Sequence, residues 1–308
     1  FRQQRHRGEP DGRHPGPGFT GRERILGFSG GYHGSLLAFP VTGPSPMAAP
    51  FPIVRVDYND TEAALSEIAR NAGTLAAVIV EPMLGSGGCL PADPKFLAAL
   101  RQATQEVGAL LIFDEVMTSR MSSGGMQQRL GIVPDLTTIG KYIGGGMSFG
   151  AFGGRAHIMD MFVSSLPHSG TFNNNVLTMA AGRRALGEVF TAERAEELFQ
   201  FGEEMRAALN AVLSQAGTSM HFEGLGSLAT VHFRPGPAIR PTVPSAKETA
   251  LRDLFFFDML EAGIYLAKRG MIALSLPVSK VEIGLFVDAV KEFASVRRPF
   301  LPAPDEAA

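Results

Sequence analysis

Two polar residues stand out for what surrounds them in the chain. Asp114 closes the apolar run Leu110–Phe113 and is followed by Glu115 and Val116. Lys141 sits between Gly140 and the triple glycine Gly144-Gly145-Gly146. A carboxylate after four apolar residues has two readings: a cap or surface turn, or a buried charge facing a cationic partner, which burial demands. If the run is a strand, Asp114 lies at its carboxyl end, where open α/β sheets bind ligands. Glycines let backbone approach a ligand closely, so a lysine among them could grip a phosphate. The P-loop pattern is absent, because Tyr142 follows the lysine where Ser or Thr is required. The other chemistry open to Lys141 is that of a desolvated, neutral amine forming a Schiff base with a carbonyl.

Elements must hold these groups in place. Ile25–Phe28, Ala76–Val80 and Leu110–Phe113 read as short buried strands, the first ending at Gly30-Gly31. Between them, Glu62–Asn71 with Thr61 as N-cap and Lys95–Val107 read as helices. This rhythm is that of right-handed βαβ units in an α/β domain with a mostly parallel sheet. Val78, Leu110 and Phe255–Phe257 read as core. Further on, helices are expected over Val176–Phe190, Ala192–Ala216, Lys247–Ala262 and Ser279–Val296. Strands are expected at Gly226–Phe233, Ile264–Leu266 and Met271–Leu276. The organisation expected is an unstructured or artefactual segment over 1–18, a large domain over 19–204, and a smaller α+β C-terminal domain over 205–308.

Composition narrows the classes of function. The chain has 308 residues, 45% hydrophobic and 19% charged, which suits a globular enzyme rather than a disordered chain. A net charge of -2 gives no footprint for nucleic acid or an anionic membrane. The single cysteine, Cys89, points to a reducing, cytoplasmic setting. No metal-binding spacing of Cys and His is present, and no G-x-S-x-G nucleophile elbow.

An ordered series of motifs extends the two starting residues. It runs Glu81-Pro82-Met83-Leu84-Gly85-Ser86-Gly87-Gly88, then Leu111-Ile112-Phe113-Asp114-Glu115-Val116, then Pro134-Asp135-Leu136-Thr137-Thr138-Ile139-Gly140-Lys141, then His168-Ser169-Gly170-Thr171-Phe172. In this order the chain resembles the class III aminotransferases, a subgroup of the fold-type I pyridoxal-phosphate enzymes, from about Gly21 to its end. Within that family the segments 114–120, 140–154, 168–175 and 269–277 look closest to β-amino-acid aminotransferases of the β-phenylalanine type. Glutamate-1-semialdehyde 2,1-aminomutases share the GGGM and AFGGR stretches.

The resemblance assigns roles residue by residue. Lys141 would hold pyridoxal 5'-phosphate as a Schiff base and, once freed, move the proton. Asp114 would pair with the ring nitrogen and keep it protonated. Val116 would pack on one ring face and Tyr32 on the other, with His33 supporting beside the ring and His168 supporting the fold. Thr171 would bind the phosphate of a neighbouring subunit's cofactor, which implies a homodimer with shared sites; read alone, a threonine is more often a helix N-cap. Arg269 would hold a substrate carboxylate through its planar fork, or stand as a solvated loop arginine. The expected reaction is transamination between an aromatic β-amino acid and a 2-oxo acid, with an aminomutase activity as the alternative. The family carries a longer N-terminal region with a Ser-Gly-Thr phosphate cup, where this chain has an Arg/His/Pro segment. A truncated remnant acting only in binding or dimerisation is therefore the alternative of another class.

Overall fold

A computed structural model describes residues 15–166 and 168–304, without the side chains of residues 15–17. The expectation for 1–14 lies outside these residues. The neighbouring residues Pro15–Thr20 form a short helix, α1, where no regular structure was expected. Proline is tolerated in a first helical turn, and Phe19 anchors the segment on the core beside Ile25, Ala77 and Leu110.

The chain divides into two units, Phe1–Gly85 with Ala92–Glu193, and Ser86–Pro91 with Arg194–Ala308. The expected boundary stood eleven residues further on, between residues 204 and 205. In the first unit, β1 (Arg24–Phe28) leads to β2 (Ile53–Val56), α2 (Thr61–Arg70), β3 (Leu75–Val80), α3 (Pro94–Val107) and β4 (Leu110–Asp114). Then follow α4 (Gly125–Leu130), β5 (Leu136–Gly140), β6 (Gly150–Gly154) and α5 (Val176–Arg184). The six strands form one sheet in the order β2-β1-β3-β4-β5-β6. The first five run parallel, and β6 is antiparallel to β5. Every residue of β3 and β4 is buried, as expected of parallel strands covered on both faces.

Caps settle where the helices begin. Asp60, not Thr61, caps α2, its carboxylate accepting from the Ala63 N–H; Asp93 caps α3, with Pro94 in its first turn. Both satisfy backbone donors that a helix start leaves open. Phe28, Tyr58 and Phe96 meet edge to face at 5.1–6.2 Å. The buried Tyr58 hydroxyl donates to the Glu81 carbonyl at 2.7 Å and so fixes the end of β3. Burying each such ring contributes roughly 1.5–3 kcal/mol.

The second unit has a 24-residue helix α6 (Ala192–Gln215), then β7 (His221–Leu225), β8 (Leu228–His232), α7 (Ala246–Glu261), β9 (Met271–Ala273) and α8 (Lys280–Val296). Its antiparallel sheet runs β9-β8-β7. Phe222, Phe233, Phe255, Phe286 and Phe293 interlock beneath it. Helices α7 and α8 each start with a reciprocal capping box, at Ser245/Glu248 and Ser279/Glu282. Three expectations change here. Residues 264–266 are not a strand, because the chain leaves α7 through a turn at Gly263 (φ 78°) in which the Ile264 N–H bonds back to the Met259 carbonyl rather than to a neighbouring strand. The strand expected at Gly226–Phe233 begins two residues later. Phe257 is exposed while Phe255 is buried, since a 3.6-residue repeat cannot turn residues two apart to one side.

Candidate active site

Because β1, β3, β4 and β5 are parallel, their carboxyl ends share one edge of the sheet. Four chemically equipped segments emerge there: Tyr32-His33 beyond β1, Glu81 after β3, Asp114 at the end of β4, and Lys141 after β5.

Asp114 is 4% exposed. Its Oδ1 accepts the Val116 N–H at 3.0 Å, and its Oδ2 lies 2.8 Å from His33 Nδ1. An ionised carboxylate only accepts, so Nδ1 carries the proton in that contact. His33 is itself buried and meets Phe39 edge-on. Sequence reading placed both residues beside a ring but did not pair them; they are 81 positions apart.

In the sequence Glu81 stands only as one letter of a motif. It is 5% exposed, and its two carboxylate oxygens accept the Tyr32 N–H at 2.9 Å and the Gly85 N–H at 3.1 Å. Burial raises its pKa; nearby His33 opposes that rise, and Asp114 adds to it. The signal available in sequence was the one used for Asp114, an acid directly after a fully apolar run.

Glu115 anchors the loop behind the site. It accepts from Met126 N at 2.6 Å, Gln127 N at 3.0 Å and the Thr118 hydroxyl at 3.2 Å. Burial raises this carboxyl too, against the pull of those donors. Gly125, at φ 74°, lies so close that a Cβ there would stand 2.5 Å from Glu115 Oε2, and an L side chain is disfavoured at that φ.

Val116 is buried, next to Gly140; a side chain at Gly140 would come within 3.5 Å of Val116 Cγ1 and 3.1 Å of the Phe149 carbonyl. Asp114 stands opposite Thr138 in the ladder, whose hydroxyl is shielded from solvent with no hydrogen-bond partner among the described residues. Lys141 has φ 59°, in the left-handed region. Such backbone in a residue other than glycine costs on the order of 1–3 kcal/mol and clusters at functional positions. Lys141 is exposed rather than desolvated in this chain. Tyr32 is 37% exposed.

The other expected residues stand on other segments of the chain. Thr171 sits on an exposed turn, and the capping alternative falls to Asn175, which accepts from Leu177 N and Thr178 N at the start of α5. His168 packs edge-on against Phe152 and Phe162. Arg269 belongs to the second unit, exposed just ahead of β9, with Nη2 3.0 Å from Met271 Sδ.

The family described as aminotransferase class-III matches residues 12–291. The β-phenylalanine transaminase of Variovorax paradoxus is 49% identical over 287 residues, 92% of this chain and 66% of that protein. Its crystal structure superposes with a TM-score of 0.92 at 48% identity, covering 94% of this chain and 68% of that one. An ω-transaminase from Sphaerobacter thermophilus matches with a TM-score of 0.85 at 36% identity, covering 92% and 70%. A transaminase solved with PLP bound matches with a TM-score of 0.79 at 32% identity, covering 92% and 69%. The chain spans about two thirds of the length of the curated relatives it matches.

Proposed function

The chain belongs to the class III aminotransferases, and from that premise we propose that it moves an amino group between an aromatic β-amino acid and a 2-oxo acid, using pyridoxal 5'-phosphate. The observation that carries the reading is the buried Asp114 carboxylate, held by His33 and Val116 at the sheet edge from which Lys141 also emerges. The 49% identity to a β-phenylalanine transaminase supports the substrate class.

The residues fit the cofactor. A buried anion with both oxygens already oriented suits a protonated ring nitrogen, and the unpartnered Thr138 hydroxyl adds a polar contact beside it. When bound, the cofactor supplies an electron sink for the carbanion chemistry of amino transfer. Asp114 would hold the charged ring nitrogen, and His33 holds Asp114 in one orientation. Val116 and Tyr32 would pack against the ring. The Lys141 amine would hold the cofactor and, when free, carry a proton at its Nζ. Arg269 would take the substrate carboxylate. Thr171, on its exposed turn, would serve the phosphate of a partner subunit's cofactor in a homodimer.

The test is direct. Pure protein mixed with pyridoxal phosphate should develop visible absorbance that Lys141→Ala abolishes, and should consume β-phenylalanine only when 2-oxoglutarate is present. Turnover of glutamate-1-semialdehyde without a 2-oxo acid would transfer the reading to an aminomutase. Cofactor binding without any turnover would leave the remnant reading standing. Sedimentation of a fully active monomer would remove Thr171 from the site.

A further inference from the structure

Glu81 has no role in the reading above, yet it is the second buried carboxylate at the same sheet edge. Its two oxygens each take a backbone N–H, one from Tyr32 and one from Gly85. It therefore bridges the segment that carries His33 and the turn after β3, while the Tyr58 hydroxyl holds its own carbonyl at 2.7 Å. Among the described residues no acceptor for a carboxyl proton faces it: both oxygens accept, and Tyr58 binds only the backbone oxygen. Accepting twice and donating nowhere is the pattern of an ionised carboxylate. The charged and titratable groups that face it are His33 from the β1 side, Asp114 from β4 and Tyr58 from the segment before α2.

We infer that Glu81 is a positioning residue of the site: it braces the Tyr32-His33 segment against Asp114 and, as a buried anion, favours the positive charge gathered there, including the cofactor's ring nitrogen. The inference rests on the cofactor reading above. Two carboxylates close together are ordinarily unfavourable unless cationic charge sits between or beside them. His33 lies on Asp114 at 2.8 Å and is carried by the segment whose backbone Glu81 holds. Burial works against the Glu81 charge, so the two N–H donors and His33 are what sustain it.

Glu81→Gln keeps the size of the side chain and one oxygen acceptor but removes the charge. In the cofactor-loaded protein, the pH midpoint of the visible absorbance should fall by roughly one unit, because a neighbouring anion no longer favours protonated forms. In the cofactor-free protein, the His33 imidazole proton signal, assigned with His33→Gln, should move. Glu81→Asp retains the charge on a shorter arm; it should keep the wild-type midpoint while binding pyridoxal phosphate several-fold more weakly, as expected of a stretched contact. This variant also carries the test if Glu81→Gln fails to fold. An unchanged midpoint and an unchanged His33 signal in folded Glu81→Gln would overturn the inference, as would a midpoint that falls equally in Glu81→Asp. Wild-type protein that never develops Lys141-dependent absorbance would instead defeat the functional reading.

Discussion

The two sides of the site are built differently. Around Asp114 the carboxylates are buried and held: His33 and Val116 on Asp114, Tyr32 and Gly85 on Glu81, and three donors on Glu115. Around Lys141 the chain is open. Lys141 is exposed in left-handed backbone, and the segment beyond it presents Phe172 at 57% and Val176 at 78% exposure. A buried hydrogen-bonded carboxylate is strongly specified by its surroundings, since leaving its donors unpaired is costly. The Lys141 side chain, by contrast, reaches solvent. The second unit repeats the contrast, with His232 buried on the Gly88 carbonyl at 2.8 Å and Arg269 exposed.

The largest effect expected from breaking this contrast is at Asp114. Asp114→Ala strands the His33 and Val116 donors, each costing about 1–3 kcal/mol when buried without a partner. Thermal unfolding should show a clear loss, while Lys141→Ala changes stability by less than about 0.5 kcal/mol. Equal losses in both variants would remove the distinction.

His232 comes next. Burial lowers its pKa from 6.5 to about 4, against the Gly88 carbonyl bond that raises it, with nearby His221, Arg234 and Arg252 lowering it further. The neutral imidazole is therefore the folded form, its stabilisation complete above pH 6.5 and lost as pH falls through about 4. The loss at completion is on the order of 3 kcal/mol. Denaturant unfolding at pH 7, 5 and 4 should follow it, and His232→Gln should flatten that part of the pH dependence.

Arg269→Ala, on the exposed side, should leave stability and cofactor absorbance alone. It should raise KM for carboxylate substrates roughly tenfold to a hundredfold, the loss of a charge-assisted contact of about 1.5–3 kcal/mol. Arg269→Lys should recover little of this, lacking the planar fork. An unchanged KM would leave the substrate carboxylate without its assigned partner.

The smallest effect separates strain from reactivity. Lys141→Gly removes the side chain from left-handed backbone and should stabilise the protein by up to about 1 kcal/mol, offset in part by the freedom glycine gains when unfolded. Calorimetry of the cofactor-free variant against Lys141→Ala would show the difference.

How far the sequence carried can be followed residue by residue. Leu75–Val80 and Leu110–Asp114 were legible because strands buried on both faces read as unbroken apolar runs. The edge strands Ile53–Val56 and Gly150–Gly154 were not, being short, and one of them mostly glycine. Asp60 as the cap of α2 was one residue from the expected position, a choice made by local backbone geometry. Glu81 was visible as a letter in a motif, but nothing in its neighbours announced that Tyr32, 49 positions earlier, would donate to it.

The order of motifs by itself determined the family and the α/β class and singled out Asp114 and Lys141 as candidates, because these depend on residue type and spacing along one chain. Only the tertiary structure decided that His33 meets Asp114, that Glu81 takes the Tyr32 N–H, that Glu115 holds the start of α4, and that Lys141 stands in left-handed backbone. Parallel strand pairing brings distant carboxyl ends to one edge, and which donors then meet which carboxylate is set by packing. Hydrogen bonds of that kind form across sequence separations that no local pattern encodes.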